Sequence, residues 1–155
     1  MRWTPKLFAI ALASLSLPVF SHAVEKKISK SALPPVVAKT AEEQSKGAIV
    51  RAYIQDRENG RVEYEVEMIV NGHSKDVSIG TDGGVLEVEE QVEMNALPES
   101  VQAGLKAKAG RGNITKIESL TKHGAIVAYE AQVSTRGKRL EIQVGPDGTP
   151  LDHEE

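Results

Sequence analysis

The sequence predicts an α+β fold of two tandem units, each a helix followed by a four-stranded antiparallel sheet, with the helices packed on one face of the sheet. Two observations predict it. The first is a repeat. From Gly47 onward the second half of the chain lies on the first with a constant shift of 65 residues, pairing Ile49 with Ile114, Val62 with Val127, Tyr64 with Tyr129, Gly72 with Gly137, Gly80 with Gly145 and Asp82-Gly83 with Asp147-Gly148. Upstream the shift is 64, which carries "ALP" at 32–34 onto "ALP" at 96–98. A register kept through several turns is the mark of a repeated supersecondary unit. The second observation is alternation of apolar and charged residues at a period of two, the signature of strands with one buried face.

The N-terminal residues 1–23 read as an export signal. Arg2 and Lys6 supply a positive start, "LFAIALASLSLPVF" a short apolar run, and "SHA" small residues before cleavage after Ala23. The run is shorter than the roughly 20 apolar residues that span a bilayer. The chain has no cysteine, which excludes disulfides, thiolate metal sites and a lipoprotein anchor. The expected location is the periplasm or the exterior, with no membrane attachment after cleavage. Residues 24–31, "VEKKISKS", are polar and aperiodic and are expected to be a flexible leader.

The two units span 32–91 and 92–155. Each opens with a helix signal, "LPPVVAKTAEEQSKG" and "LPESVQAGLKAKAG", in which proline sits in the first turn and Gly47 or Gly110 is a natural stop. Leu33, Val37 and Ala41 form one apolar stripe; Leu97, Val101, Leu105 and Ala109 form its counterpart. In the strands that follow, Val62, Tyr64, Val66, Met68 and Val70 are expected inside, with Arg61, Glu63, Glu65 and Glu67 facing water. Val127, Tyr129, Ala131 and Val133 repeat the inner set, and Leu140, Ile142 and Val144 alternate with Arg139, Glu141 and Gln143 as Val77 and Ile79 do in the first unit. "GTDGG" and "GPDGT" both suit a type I turn closed by a left-handed glycine, Gly83 or Gly148. Asn59-Gly60, Asn71-Gly72, His123-Gly124 and Arg136-Gly137 mark the other hairpins.

"LPESVQAGLKAKAG" followed by "AYEAQVSTRGKRLEIQVGPDGTPL" resembles a PepSY-like domain, whose outline is an LPxxV helix, a Tyr-x-hydrophobic strand, a glycine turn and a last hairpin ending in Asp-Gly before a hydrophobic residue. "LPPVVAKTAEEQ" with "EYEVEMIVNGHSKDVSIGTDGGVL" traces that outline again, so the resemblance covers about residues 32–155. A tandem of such units is similar to the β-lactamase-inhibitor-protein fold, in which helices cover one side of an antiparallel sheet and leave the other open. The resemblance assigns turn and core roles to Tyr64, Gly72, Asp82, Gly83, Tyr129, Gly137, Asp147 and Gly148. It implies a non-catalytic module of the bacterial envelope, of a kind found in peptidase propeptides and small exported proteins and suspected of restraining peptidases. No peptidase domain follows here, which favours a free-standing module over a propeptide.

Charge and composition narrow the partners. Acidic residues outnumber basic ones, 22 to 19, and the signal removes two of the basic ones. This balance argues against nucleic acid and anionic membranes. Beyond the signal the only aromatic residues are Tyr53, Tyr64 and Tyr129, too few for base or sugar stacking or for an aromatic inhibitory surface of the lactamase-inhibitor kind. His73, His123 and His153 lie at separate turns or near the end, without metal-ligand spacing. No nucleophile motif or phosphate loop is present, and neither Asp82 nor Asp147 sits in a calcium-loop pattern, so no catalysis, cofactor or metal is expected.

The surface singled out is the polar strand face: Glu63, Glu65 and Glu67 in the first unit, and Glu130, Gln132, Glu141 and Gln143 in the second. A row of like charges on a strand is unfavourable in itself. It is either a solubilising face or a platform for a basic partner, an envelope protein such as a peptidase. The alternative is a small-molecule or metal-binding periplasmic protein holding its ligand between the units. Oligomeric state is open, because an exposed edge strand allows self-association.

Overall fold

The computed structural model describes residues 25–58, 60–151 and 155. The export signal and its cleavage point after Ala23 lie outside the described residues. Eight strands form: β1 (Lys26–Ile28), β2 (Ile49–Glu58), β3 (Arg61–Val70), β4 (His73–Gly80), β5 (Val85–Gln91), β6 (Asn113–Lys122), β7 (Ala125–Thr135) and β8 (Lys138–Val144). Helix α1 (Pro35–Gln44) lies between β1 and β2, and α2 (Glu99–Ala109) between β5 and β6. The strands make one antiparallel sheet in chain order, each paired with its neighbour in sequence.

This corrects the expected fold class. The chain is not two tandem helix-plus-four-strand units but one continuous eight-stranded sheet with two short helices. β5 and β6 join what the sequence divides, pairing Glu87 with Lys122 through Gln91 with Glu118. The pairing satisfies the edge of β5, whose backbone groups would otherwise need solvent. One strand also precedes α1, inside the segment read as a leader, with Ile28 opposite Tyr53. Among the described residues three strands follow α2, and beyond Gly148 there is an isolated bridge between Val144 and Pro150.

Both helices cover the same face of the sheet. Val37 and Ala41 of α1 bury against Tyr64, Val66, Met68, Val77 and Ile79. Val101 and Leu105 of α2 bury against Ile117, Tyr129, Ala131, Val133, Ile142 and Val144. Each helix starts just after a proline in extended conformation, Pro34 or Pro98, and α2 is closed by Gly110 at φ 58°. The turns that follow β4 and β8 dock on the helices. Gly83 and Gly148 adopt φ of 84° and 86°, which a side chain resists. The Asp82 and Asp147 carboxylates each accept a backbone N–H from two residues ahead, at 2.9 and 3.0 Å. The same bond, with the Thr149 hydroxyl, holds the Asp147 carboxyl below its usual range.

Register shifts interrupt the ladder at Arg51, between Ser78 and Ile79, near Thr115 and between Leu120 and Thr121. Bulges of this kind bend a strand and increase its local twist.

Candidate functional site

The face opposite the helices is built from residues that alternate with the core. Glu63, Glu65 and Glu67 of β3 stand on it between Tyr64, Val66 and Met68. Cross-strand register then sets their neighbours. Glu67 pairs with Asp76 of β4, and Asp76 with Glu89 of β5. Glu65 pairs with Ser78, and Ser78 with Glu87, which reaches Lys122 of β6 with its Oε2 3.2 Å from Nζ. The next row contains Ser74, Gln91, Glu118, Glu130 and Gln143, one from each strand β4 to β8.

The sequence predicts this face as wet; the structure half-buries Glu63, Glu65 and Glu67. Glu118 is only 3 % exposed and Gln143 5 %. No helix among the described residues lies over them. Their neighbours on adjacent, bulged strands provide the shielding. Glu130 is half-buried and accepts a hydrogen bond from Gln143 Nε2 at 2.8 Å; Gln143 Oε1 in turn accepts the backbone N–H of Glu155 at 2.8 Å. Gln132 is half-buried and Glu141 exposed. Ala128, on the same face, is fully buried and lies opposite Leu120.

Loss of hydration dominates the electrostatics. Burial, followed by repulsion from Asp76 and Glu67, pushes the Glu65 carboxyl up to about 7. Burial pushes Asp76 up to about 6, while Lys116 pulls it down. Burial pushes Glu89 up to about 8, helped by a hydrogen bond shared with Glu87 and by the charge of Glu118. A carboxyl that retains its proton near neutrality can donate one hydrogen bond where a carboxylate only accepts.

Asp76, Glu89 and Glu118 each offer an oxygen within 4.8 Å of the others. Of the three, the sequence points only to Glu89, as a neighbour joining the Glu63, Glu65 and Glu67 row from the last strand of the first unit; Asp76 and Glu118 carry no such signal. All three come from different strands and share no local spacing, so only the pairing of β4 with β5 and β5 with β6 brings them together. An all-oxygen set is the donor chemistry of hard cations. Here, however, part of the charge is already met from within. Lys116 Nζ lies 2.6 Å from Glu118 Oε1, the Ser74 hydroxyl donates to that oxygen at 3.3 Å, and Glu89, pushed up to about 8, keeps its proton at neutral pH, whereas Asp76, at about 6, is mostly ionised there. The motif residues of the resemblance lie elsewhere. Tyr64 and Tyr129 are in the two cores, Gly72 and Gly137 in hairpin turns at φ 90° and 78°, and Asp82, Gly83, Asp147 and Gly148 in the turns against the helices. Of these, Asp82 shares a surface hollow with Glu63 at the end of the acidic strip.

No protein-family model and no curated protein matches the sequence. Solved structures do match its shape. A BLIP-like protein from Bacteroides fragilis is 19 % identical and superposes with a TM-score of 0.56 over 79 % of this chain and 86 % of its own. The chain has a BLIP-like fold. A DUF2874 family protein from Bacteroides ovatus shares that fold at 15 % identity, with a TM-score of 0.59 over 77 % of this chain and 84 % of its own. A proposed periplasmic protein from Bacteroides eggerthii matches at 15 % identity and a TM-score of 0.62, over 76 % and 85 % of the two chains. These likenesses concern backbone architecture alone. No helix among the described residues is long and apolar enough to cross a membrane.

Proposed function

We propose that this protein is an exported, non-catalytic module, PepSY-like in each of two related units, that binds a basic segment of another envelope protein on the helix-free face of its sheet. The observation that carries this reading is the continuous acidic strip of Glu63, Glu65, Glu67, Asp76, Glu87 and Glu89 across three adjacent strands, over which no helix among the described residues lies. Half-burial makes the strip energetically expensive when unpaired. A cationic partner would relieve that repulsion and displace water, which steers encounter and selects for charge. Export is supported by the N-terminal segment and by the resemblance to envelope modules. A peptidase is the partner class that the resemblance suggests, and restraint of its activity the simplest consequence of binding.

The test is crosslinking of the protein in the envelope of its own host, followed by identification of what is captured. One captured protein with a basic surface, lost when Glu63, Glu65 and Glu67 are all changed to lysine, supports the reading. Capture that survives this triple change and high salt sinks it. A rise in melting temperature with a metabolite or a divalent metal, in the absence of any captured protein, would favour a ligand-binding role instead.

A further inference from the structure

The eight-stranded sheet is open, so β1 and β8 are its edges. β1 offers three residues, two of them lysines. The edge of β8 is longer. Its last part is occupied, since Val144 bridges to Pro150 and Gln143 holds the N–H of Glu155. Lys138 to Ile142 has no strand beyond it among the described residues.

The parity of this edge follows from its hairpin. Arg136 and Gly137, both at positive φ, form a two-residue loop that closes on the pair Thr135 and Lys138. In such a hairpin the closing pair exchanges both backbone bonds, and bonded pairs then recur at every second residue. Lys138, Leu140 and Ile142 therefore turn their backbone groups toward β7, and Arg139 and Glu141 turn theirs outward.

We propose that β8 pairs with β8 of a second copy of this chain, antiparallel about a two-fold axis at Leu140. In that register Arg139 stands opposite the second copy's Glu141, and Glu141 opposite its Arg139. These are the residues whose N–H and C=O groups point outward, so both pairs can exchange backbone hydrogen bonds. Between them the two Leu140 side chains meet as a non-bonded pair, the closest approach that an antiparallel ladder allows. Leu140 is 41 % exposed, one of the few large apolar side chains left open. Among the described residues neither Arg139 nor Glu141 has an ion-pair partner, and with Gln132 and Leu140 they line a surface hollow. A register centred on Glu141 would instead set two glutamates face to face, so charge selects the register at Leu140. Two sheets joined in this way keep their helices on one side and their acidic strips on the other.

Sedimentation velocity on the protein expressed from its full-length sequence, over a micromolar to millimolar series, tests this. The mass should double with rising concentration. Glu141→Arg or Arg139→Glu should each raise the dissociation constant at least about tenfold, since each turns two attractive cross-strand pairs into repulsive ones. Mixing the two single variants should restore a dimer of one of each, and the double variant Arg139→Glu with Glu141→Arg should restore the homodimer. A wild-type chain that stays monomeric throughout, or a dimer indifferent to Glu141→Arg, or mixed variants that do not associate, would each overturn the proposal. The last two outcomes would assign association to another surface.

Discussion

Asp76 of β4 and Glu89 of β5 stand directly opposite each other in an antiparallel pair, two acids on the same half-buried face. Loss of hydration raises both, Asp76 to about 6 and Glu89 to about 8, and Glu65 nearby to about 7. An unfolded chain returns all three to the ordinary carboxylate range near 4. The folded protein therefore binds more protons than the unfolded one between these limits, and stability falls as pH rises through this window. The groups that face them are Glu67, Glu87, Glu118, Glu130, Asp56, Glu25 and Lys116. The melting temperature should fall steadily from pH 5 to pH 8.5. Glu89→Gln, which keeps the shape of the protonated acid, should raise the value at pH 8.5 and flatten the slope. A melting temperature that is flat or rises across the window would contradict the assignment of the strain to these carboxyls.

Lys116 counters the acids from within. Its ammonium lies against Glu118, whose side chain is almost wholly buried, and it also pulls Asp76 down. Lys116→Met keeps most of the aliphatic stem but leaves Glu118 without its charge partner. The expected cost is about 1–3 kcal/mol at neutral pH, in the range of a lost charged hydrogen bond. Urea denaturation measures it. Carboxyl NMR titration should show the Asp76 midpoint moving further up in the variant. An unchanged midpoint would mean that Lys116 and Asp76 do not interact.

The contrast between what could and could not be read from the chain has a physical basis. Val62 through Val70 read as a strand because one face is buried, and Asp82-Gly83 and Asp147-Gly148 read as turns because few residues other than glycine tolerate the required φ. β1 was invisible, since three residues in a lysine-rich segment carry no usable periodicity. Joining of β5 to β6 was equally hidden. A strand's alternation says which face is buried and nothing about which edge is paired. The Asp76, Glu89 and Glu118 convergence was missed for that reason, as was the shielding of Glu65. Each depends on the register between strands and on bulges, neither of which leaves a local pattern of residue types.

Thr40 of α1 and Gly104 of α2 occupy corresponding places against the two docked turns, and they solve the contact differently. The Thr40 hydroxyl donates to the Gly83 carbonyl at 2.7 Å. A Cβ at Gly104 would overlap the Gly148 carbonyl oxygen, and one at Gly148 would overlap the Ser100 carbonyl, so here backbone lies on backbone. Thr40→Ala should cost about 1 kcal/mol, the net worth of one hydrogen bond. Gly104→Ala should cost more, about 1–3 kcal/mol, because the turn must move to admit a methyl group. Chemical denaturation of the two variants should rank them in that order. The reverse order would mean that the second turn yields more readily than its close contact implies.

The acidic strip itself supplies a separation of stability from function. Glu65 is strained by burial and by Asp76 and Glu67. Neutralising Glu65 and Glu67 together as glutamines keeps their size and removes repulsion on the half-buried face. If the charges serve only the fold's solubility, the double variant should gain stability and lose nothing in partner capture. If they recognise a basic partner, the variant should show a higher melting temperature at pH 8 together with weaker capture, because the cost that folding sustains is then recovered on binding. Screening gives an independent check. Capture by the wild-type protein should weaken as salt rises from low to physiological ionic strength, with the residual binding of the glutamine variant much less sensitive to salt. Equal capture by both proteins at every salt concentration would remove the acidic strip from the binding surface.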